Sequence, residues 1–209
     1  MAARLVAGFF GLFLLAAALP ASAGHHQWFI SELYSNADGT VQFVELLGTA
    51  DNEAGVSGFS VTTAGSTPTS APLAPNLPSN LTNGAYMLLG TAGYATLAAA
   101  QGAPAPDRTL PDNFLETVTA DAVTYAGIGS TTRSYAAGGL PTDGVLSLDY
   151  EVGSPGTTAN TPQNFAGATG SINGGSAPVP MMSRLGIILL IGALVLGISW
   201  RLRRREARA

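Results

Sequence analysis

The chain has 209 residues, no cysteine and a formal net charge of −4. Between Gly24 and Pro180, twelve acidic residues stand against only Arg108 and Arg133, so this central part carries a net charge of −10. Such an acidic domain repels phosphate backbones, which argues against nucleic acid as a partner. Without cysteine it forms no disulfides, and its roughly 150 residues must bury an apolar core of their own.

The N-terminus has the three parts of a secretory signal peptide. Arg4 precedes an apolar run over residues 5–19, and Ala21 and Ala23 form an A-x-A cleavage site. We therefore expect a signal helix over residues 1–23, which engages Sec-type export machinery and is removed by signal peptidase.

The expected mature N-terminus is also a candidate metal site. It would read Gly24-His25-His26, whose terminal amine, amide nitrogens and imidazole could hold Cu(II) in a square plane. His25 and His26 are the only two histidines of the chain. A zinc site or a Ser-His-Asp triad within the core is therefore disfavoured.

The central region, residues 24–172, is predicted to be all-β with one short helix. The dipeptide Asp38-Gly39 predicts a tight hairpin between the first two strands. Both strands lack clean alternation of apolar and polar residues, which indicates that they are covered on both faces. About seven short strands joined by turns predict an antiparallel β-sandwich. The predicted strands are 28–34, 41–47, 56–63, 85–89, 114–118, 121–126 and 145–150, and the helix is 94–101.

Five of these segments carry a family resemblance. They read ISEL at 30–33, FVEL at 43–46, VSGFSV at 56–61, GAYML at 84–88 and DAVTY at 121–125. In this order they resemble the lamin-tail domain, an immunoglobulin-like sandwich of many bacterial secreted proteins, over about residues 28–165. The resemblance implies a binding or structural module and brings no catalytic residues.

Glu32 and Glu45 are the main candidate site residues, because the predicted hairpin places them on one face, opposite or diagonal to each other. Like charges in that position destabilise a sheet, so something must compensate. One reading is a calcium or other hard cation bound with help from Asp38 or Asp51. A second is paired-carboxylate hydrolysis, as in glycosidases. The third, which we favour, is that each carboxylate caps backbone groups of a loop or is simply solvated.

A second group of acids lies between the predicted helix and residue 121. It matches no calcium-loop spacing, so a solvated acidic loop is expected. Its members are Asp107, Asp112, Glu116 and Asp121.

The C-terminus predicts a membrane-spanning helix. Residues 181–200 end in the uncharged run 185–200, and a basic tail follows at 201–209. The basic cluster stops transfer and holds the tail in the cytoplasm. Its residues are Arg201, Arg203, Arg204 and Arg205.

The layout of motif, spanning helix and basic stop resembles the C-terminal signals handled by exosortase-type transpeptidases of Gram-negative bacteria. Residues 173–180 would be the linker and the start of the motif. In the variant Ile-Pro-Thr-Leu-x-x-Trp-Gly, Pro180 and Gly186 match and Val179 is conservative. A simple, permanent tail anchor is the alternative.

Together these patterns lead us to expect a non-enzymatic exported protein of the bacterial surface or extracellular matrix. Its β domain would lie in the periplasm while its tail sits in inner-membrane lipid, and an exosortase-type enzyme would then transfer it to an envelope polysaccharide. The alternatives are a permanently inner-membrane-anchored periplasmic binding module and an accessory domain of a secreted hydrolase system. We expect no cofactor other than the two possible metal ions, calcium at the acid pair and Cu(II) at the N-terminus.

Overall fold

The computed structural model of the chain describes residues 27–151 and 155–175. The signal helix, the Gly24-His25-His26 site, the whole sorting motif at 179–186, the spanning helix and the basic tail lie outside these residues. Within the described ranges, no helix is both long enough and apolar enough to cross a membrane.

The described residues form mostly strands, in two sheets, with one short helix. The larger sheet has six strands in the order β10-β9-β1-β2-β5-β6, and the smaller has four in the order β4-β3-β7-β8. The elements are β1 (Trp28–Ser35), β2 (Gln42–Gly48), β3 (Ser60–Thr63), β4 (Ser70–Pro72), β5 (Tyr86–Gly90), α1 (Ala92–Gln101), β6 (Arg108–Thr109), β7 (Asp121–Ala126), β8 (Thr131–Tyr135), β9 (Leu146–Asp149) and β10 (Gly156–Ala159). The prediction of a β-rich fold is confirmed, but the sheets are not purely antiparallel, because β5 and β6 pair in parallel.

The β1–β2 hairpin turns at the predicted dipeptide. Gly39 has a φ of +72°, a conformation that costs glycine little. The Asp38 carboxylate accepts a hydrogen bond from the Thr40 amide at 3.1 Å, and the Asn36 side chain accepts one from Val41 N at 3.0 Å. These local bonds set the register in which Glu32 lies directly opposite Glu45.

A β-bulge interrupts the same hairpin. Ile30 pairs with Leu46 and Glu32 pairs with Glu45, so Ser31 is an extra residue on β1. A bulge of this kind puts two residues opposite one and redirects a side chain.

The inner face of the larger sheet packs against the smaller sheet. The larger sheet contributes Trp28, Leu33 and Leu46 to one apolar cluster, and the smaller sheet contributes Val61 and Tyr125. All five side chains are fully buried. The indole Nε1 of Trp28 donates to the Glu53 carbonyl at 3.0 Å, which satisfies its one polar group.

The outer face of the larger sheet is covered by α1 and by a C-terminal segment. Tyr34 stacks on Phe43 with ring centroids 5.1 Å apart, and Tyr94 of α1 meets Phe43 edge-on at 5.5 Å. The helix begins after Thr91, whose hydroxyl accepts from Tyr94 N, and ends at Gly102 with φ of 70°. Both faces of β1 and β2 are therefore covered, as their lack of alternation predicted.

Arg108 ties the long loop before β5 to the sheet. Its guanidinium donates to the carbonyls of Leu73 at 2.7 Å, Asp107 at 2.6 Å and Pro75 at 2.5 Å. The positive charge is thus surrounded by carbonyl oxygens of the backbone.

Some predicted elements were wrong. Residues 114–118 form no strand; instead the Gln42 side chain bonds both the amide and the carbonyl of Leu115, at 3.0 and 2.9 Å, in place of a strand partner. The third strand begins at Ser60 and not at residue 56. The polar or very short strands β4, β6, β8 and β10 were not predicted.

Candidate functional site

Glu32 and Glu45 lie side by side on the outer face of the larger sheet and are almost completely buried. Their exposed fractions are 4% and 2%. The bulge brings Ser31 to the same face, where its Oγ donates to Glu45 Oε1 at 2.8 Å. On the other side of Glu32, Asp149 of β9 is its direct partner in the register.

A segment that we call the strap, residues 160–172, crosses this face and binds the carboxylates through its backbone. Thr161 N donates to Glu32 Oε1 at 3.0 Å, and Gln163 N donates to Glu45 Oε2 at 2.6 Å. Two residues further, Phe165 N donates to Asp107 Oδ2 at 2.9 Å. Three alternate amides of the strap are therefore held by three acidic side chains, two from the sheet and one from the residue just before β6.

The base of the strap is closed by one side chain. Asn160 Nδ2 donates to the Ile172 carbonyl at 2.8 Å, and Asn160 Oδ1 accepts from Ile172 N at 2.8 Å. The same Nδ2 reaches the Val145 carbonyl at 2.6 Å. Because Asn160 and Ile172 are the two ends of the strap, their pairing closes it into a loop.

A cavity of about 310 Å³ remains between the strap and the sheet. Four carboxylates border it, and one of them, Glu151, accepts from the Tyr86 hydroxyl at 2.8 Å. A smaller pocket of about 180 Å³ adjoins it and shares Ser31 and Glu151; there Arg133 lies 5.5 Å over the ring of Tyr150. The larger cavity is lined by Ser31, Glu32, Glu45, Tyr86, Asp149, Glu151, Thr161, Gln163, Thr169 and Gly170.

Burial dominates the acid–base behaviour of the pair. It is the main cause of the rise in the pKa of Glu45 to about 8, to which the neighbouring Glu32 carboxylate also contributes and which the hydrogen bonds from Ser31 and Gln163 oppose. It raises the pKa of Glu32 to about 7, with Asp149 adding repulsion, while the Thr161 amide and the nearby Ser147 hydroxyl act in the opposite direction. Ser147 Oγ is buried and makes no well-formed hydrogen bond to any described residue.

The geometry agrees with the third reading of the pair, in which carboxylates cap backbone groups of a loop. Asp38 lies apart at the hairpin tip, where Thr40 is its partner, and Asp51 accepts from the amides of Thr82 and Asn83. Neither lines the cavity of the pair. The described residues include no group of three or more histidine or acidic side chains placed to hold a metal ion.

The second acidic group is not a solvated loop throughout. Asp121 is 5% exposed, and its Oδ1 accepts from the Ala64 amide at 3.0 Å. Asp107 binds Phe165 N and also Leu88 N at 2.9 Å, and burial raises its pKa. Asp112 and Glu116 are on the described loop between β6 and β7, where the Glu116 carboxylate accepts from the Ser66 hydroxyl.

Sequence reasoning missed the strap as part of the site. Thr161 and Gln163 act through their backbone amides, which any residue but proline supplies. The one available signal was indirect: a buried carboxylate needs donors, so some segment had to provide them.

Comparison of the chain with protein-family models, with curated proteins and with solved structures finds no match.

Proposed function

We propose that this chain is a non-enzymatic exported protein of the bacterial surface or extracellular matrix. Its β domain would be an immunoglobulin-like sandwich of the lamin-tail type that serves as a binding or structural module. The C-terminal tail would hold it in the inner membrane until an exosortase-type enzyme transfers it to an envelope polysaccharide.

The proposal that the protein is not an enzyme is supported mainly by the hydrogen bonds that the acid pair accepts. Glu32 and Glu45 accept hydrogen bonds from Thr161 N and Gln163 N, which are groups of the chain itself. A general acid and base must reach the reacting atoms of a substrate. Carboxylates bound to their own backbone instead hold a loop in place, so we interpret them as structural.

The sequence at both ends supports export. The A-x-A site at Ala21 and Ala23 and the apolar run 185–200 bracket a central region with a net charge of −10. The arginine cluster behind the apolar run keeps that end in the cytoplasm, which leaves the acidic region on the other side of the membrane. The two sheets that share one apolar cluster are compatible with a sandwich.

The departures in the sorting motif favour a second candidate, a permanently anchored periplasmic binding module. Met181 and Leu185 stand where the related signals have Thr and Trp. If a processing enzyme needs those two residues, the tail stays and the protein remains in the inner membrane.

The intact mass of the protein recovered from separated bacterial cell fractions tests both candidates. We expect a product that begins at Gly24 and has lost residues after the sorting motif, in the surface or matrix fraction. A Pro180→Ala variant should retain its tail and stay with the membranes. A wild-type product that keeps its tail in the membrane fraction supports the anchor instead. A full-length chain with both ends intact in the cytosol contradicts both.

A further inference from the structure

The strap combines two kinds of attachment that respond differently to pH. Its base is closed by Asn160 and Ile172, an amide pairing that does not titrate. Its crossing part is held through Thr161, Gln163 and Phe165 by the carboxyl groups of Glu32, Glu45 and Asp107, which do titrate. The crossing part can therefore change its stability with pH while the base stays closed.

The charges around the pair do not compensate each other. Two carboxyl groups that face each other in a buried site cannot both ionise without a large cost, so the closed strap requires at least one proton on the pair. The other titratable groups that face it are also acids or phenols. They are Asp149 and Glu151 at the end of β9, Tyr86 on β5 and Tyr94 on α1. Arg133 borders the adjoining pocket, which shares Ser31 and Glu151, and stacks over Tyr150.

We propose that residues 160–172 form a pH-sensitive lid on the outer face of the larger sheet. The lid is closed while the Glu32–Glu45 pair holds its protons and opens when the pair ionises. Opening breaks the bonds from Thr161 N and Gln163 N, admits water to both carboxylates and exposes the floor of the cavity of about 310 Å³. The Asn160–Ile172 closure stays in place and guides the strap back.

The direction of the pH response follows from linkage. In the open, hydrated state each carboxyl returns towards its ordinary pKa of 4.5, and in the closed state burial raises the pKa. The closed state is therefore most favoured below about pH 4.5 and loses stability as the pH rises towards about 8, after which no further loss occurs. Each carboxyl that releases its proton on opening increases the opening equilibrium about tenfold per pH unit within that range.

Amide hydrogen exchange of the full-length chain in mild detergent, expressed as protection factors to remove the intrinsic pH dependence, tests the proposal. We expect the protection of Thr161 N and Gln163 N to fall at least about tenfold between about pH 5 and pH 7. Ile172 N, whose acceptor is the neutral Asn160 side chain, is the internal control and should keep its protection.

Glutamine replacements separate titration from other causes. The double variant E32Q/E45Q keeps an oxygen acceptor at each position but loses the charge, so its strap protection should not change with pH. Wild-type protection that is constant with pH, or that falls as the pH is lowered, overturns the proposal. So does a double variant with the wild-type pH profile. If the double variant does not fold, the wild-type comparison of Gln163 with Ile172 still decides.

Discussion

The two faces of the larger sheet bury the same strands, β1 and β2, by different chemistry. On the inner face, Leu33 and Leu46 meet the apolar side chains of the smaller sheet. On the outer face, Glu32 and Glu45 meet the backbone amides of the strap. Burial is nearly complete on both faces, since all four side chains are at most 4% exposed.

The difference determines what each face can do. The inner face gains from removal of apolar surface from water, which is insensitive to pH and tolerates no gaps. The outer face exchanges hydration of carboxyl groups for hydrogen bonds, a closer balance that ionisation of the carboxyl groups can reverse. We therefore expect the inner face to set the stability of the domain and the outer face to set its response to conditions.

The largest effect should come from the inner face. Trp28→Ala removes a fully buried ring and its bond to the Glu53 carbonyl. We expect a loss of about 4 kcal/mol in the free energy of unfolding, measured by urea denaturation. Leu81→Ala is the control, because Leu81 is 77% exposed and its loss should change stability by less than about 0.5 kcal/mol. Equal effects of the two would mean that the inner face is not the main core.

The base of the strap should come next. Asn160→Ala removes three hydrogen bonds, two of them buried, and leaves both backbone polar groups of Ile172 without their partner. We expect a loss of about 3 kcal/mol in the same measurement. Asn164→Ala is the matched control in the same strap, because its bonds to Ala105 and Ala168 are exposed to water. A cost below about 1 kcal/mol for Asn160→Ala would show that the strap contributes little to folding.

The acid pair should give a smaller effect that depends on pH. The folded-state pKa of Glu45 is raised, so its contribution to stability is complete below about pH 4.5 and falls as the pH rises to about 8. Glu45→Gln stays neutral. Its free energy of unfolding should be close to that of wild type below pH 4.5 and about 2 kcal/mol higher than that of wild type at pH 8. A variant less stable than wild type at pH 8 would indicate that the ionised carboxylate is favourable in the fold.

The smallest effect concerns the helix that covers the aromatic part of the outer face. Gly102→Ala places a Cβ at φ of +70°, with nothing within 4 Å of it, so the cost is conformational only. We expect a loss of about 1 kcal/mol in thermal or urea unfolding. Gly156→Ala in β10 has the same open surroundings and no positive φ, and should be nearly neutral. Similar losses in both variants would contradict the backbone explanation.

Local sequence signals predicted the hairpin and the pairing of its two glutamates. Asp38-Gly39 and the neighbouring strands lie within about twenty residues, so turn chemistry and register suffice. The bulge at Ser31, which adds a third polar side chain to that face, has no comparable local signal.

Elements that depend on distant partners were not predictable in the same way. The strand β8 alternates half-buried and exposed positions, but four of its five residues are polar, so it shows no apolar periodicity. Phe114 and Leu115 are apolar and buried as a strand would be, but Gln42, far away in the chain, is the hydrogen-bond partner of the Leu115 backbone. The strap is rich in turn-forming residues, and its role depends on carboxylates more than a hundred residues earlier.

The surroundings of Arg108 affect how copies of this domain behave towards each other. Its charge is enclosed by three backbone carbonyls and Arg133 lies over an aromatic ring, so neither stands as a free cation beside the twelve acids of the central region. Neighbouring copies should repel one another at low ionic strength, which keeps the open edges of β10 and β8 from joining between molecules. Salt would weaken that repulsion, so copies of the protein should pack more closely together as the ionic strength increases.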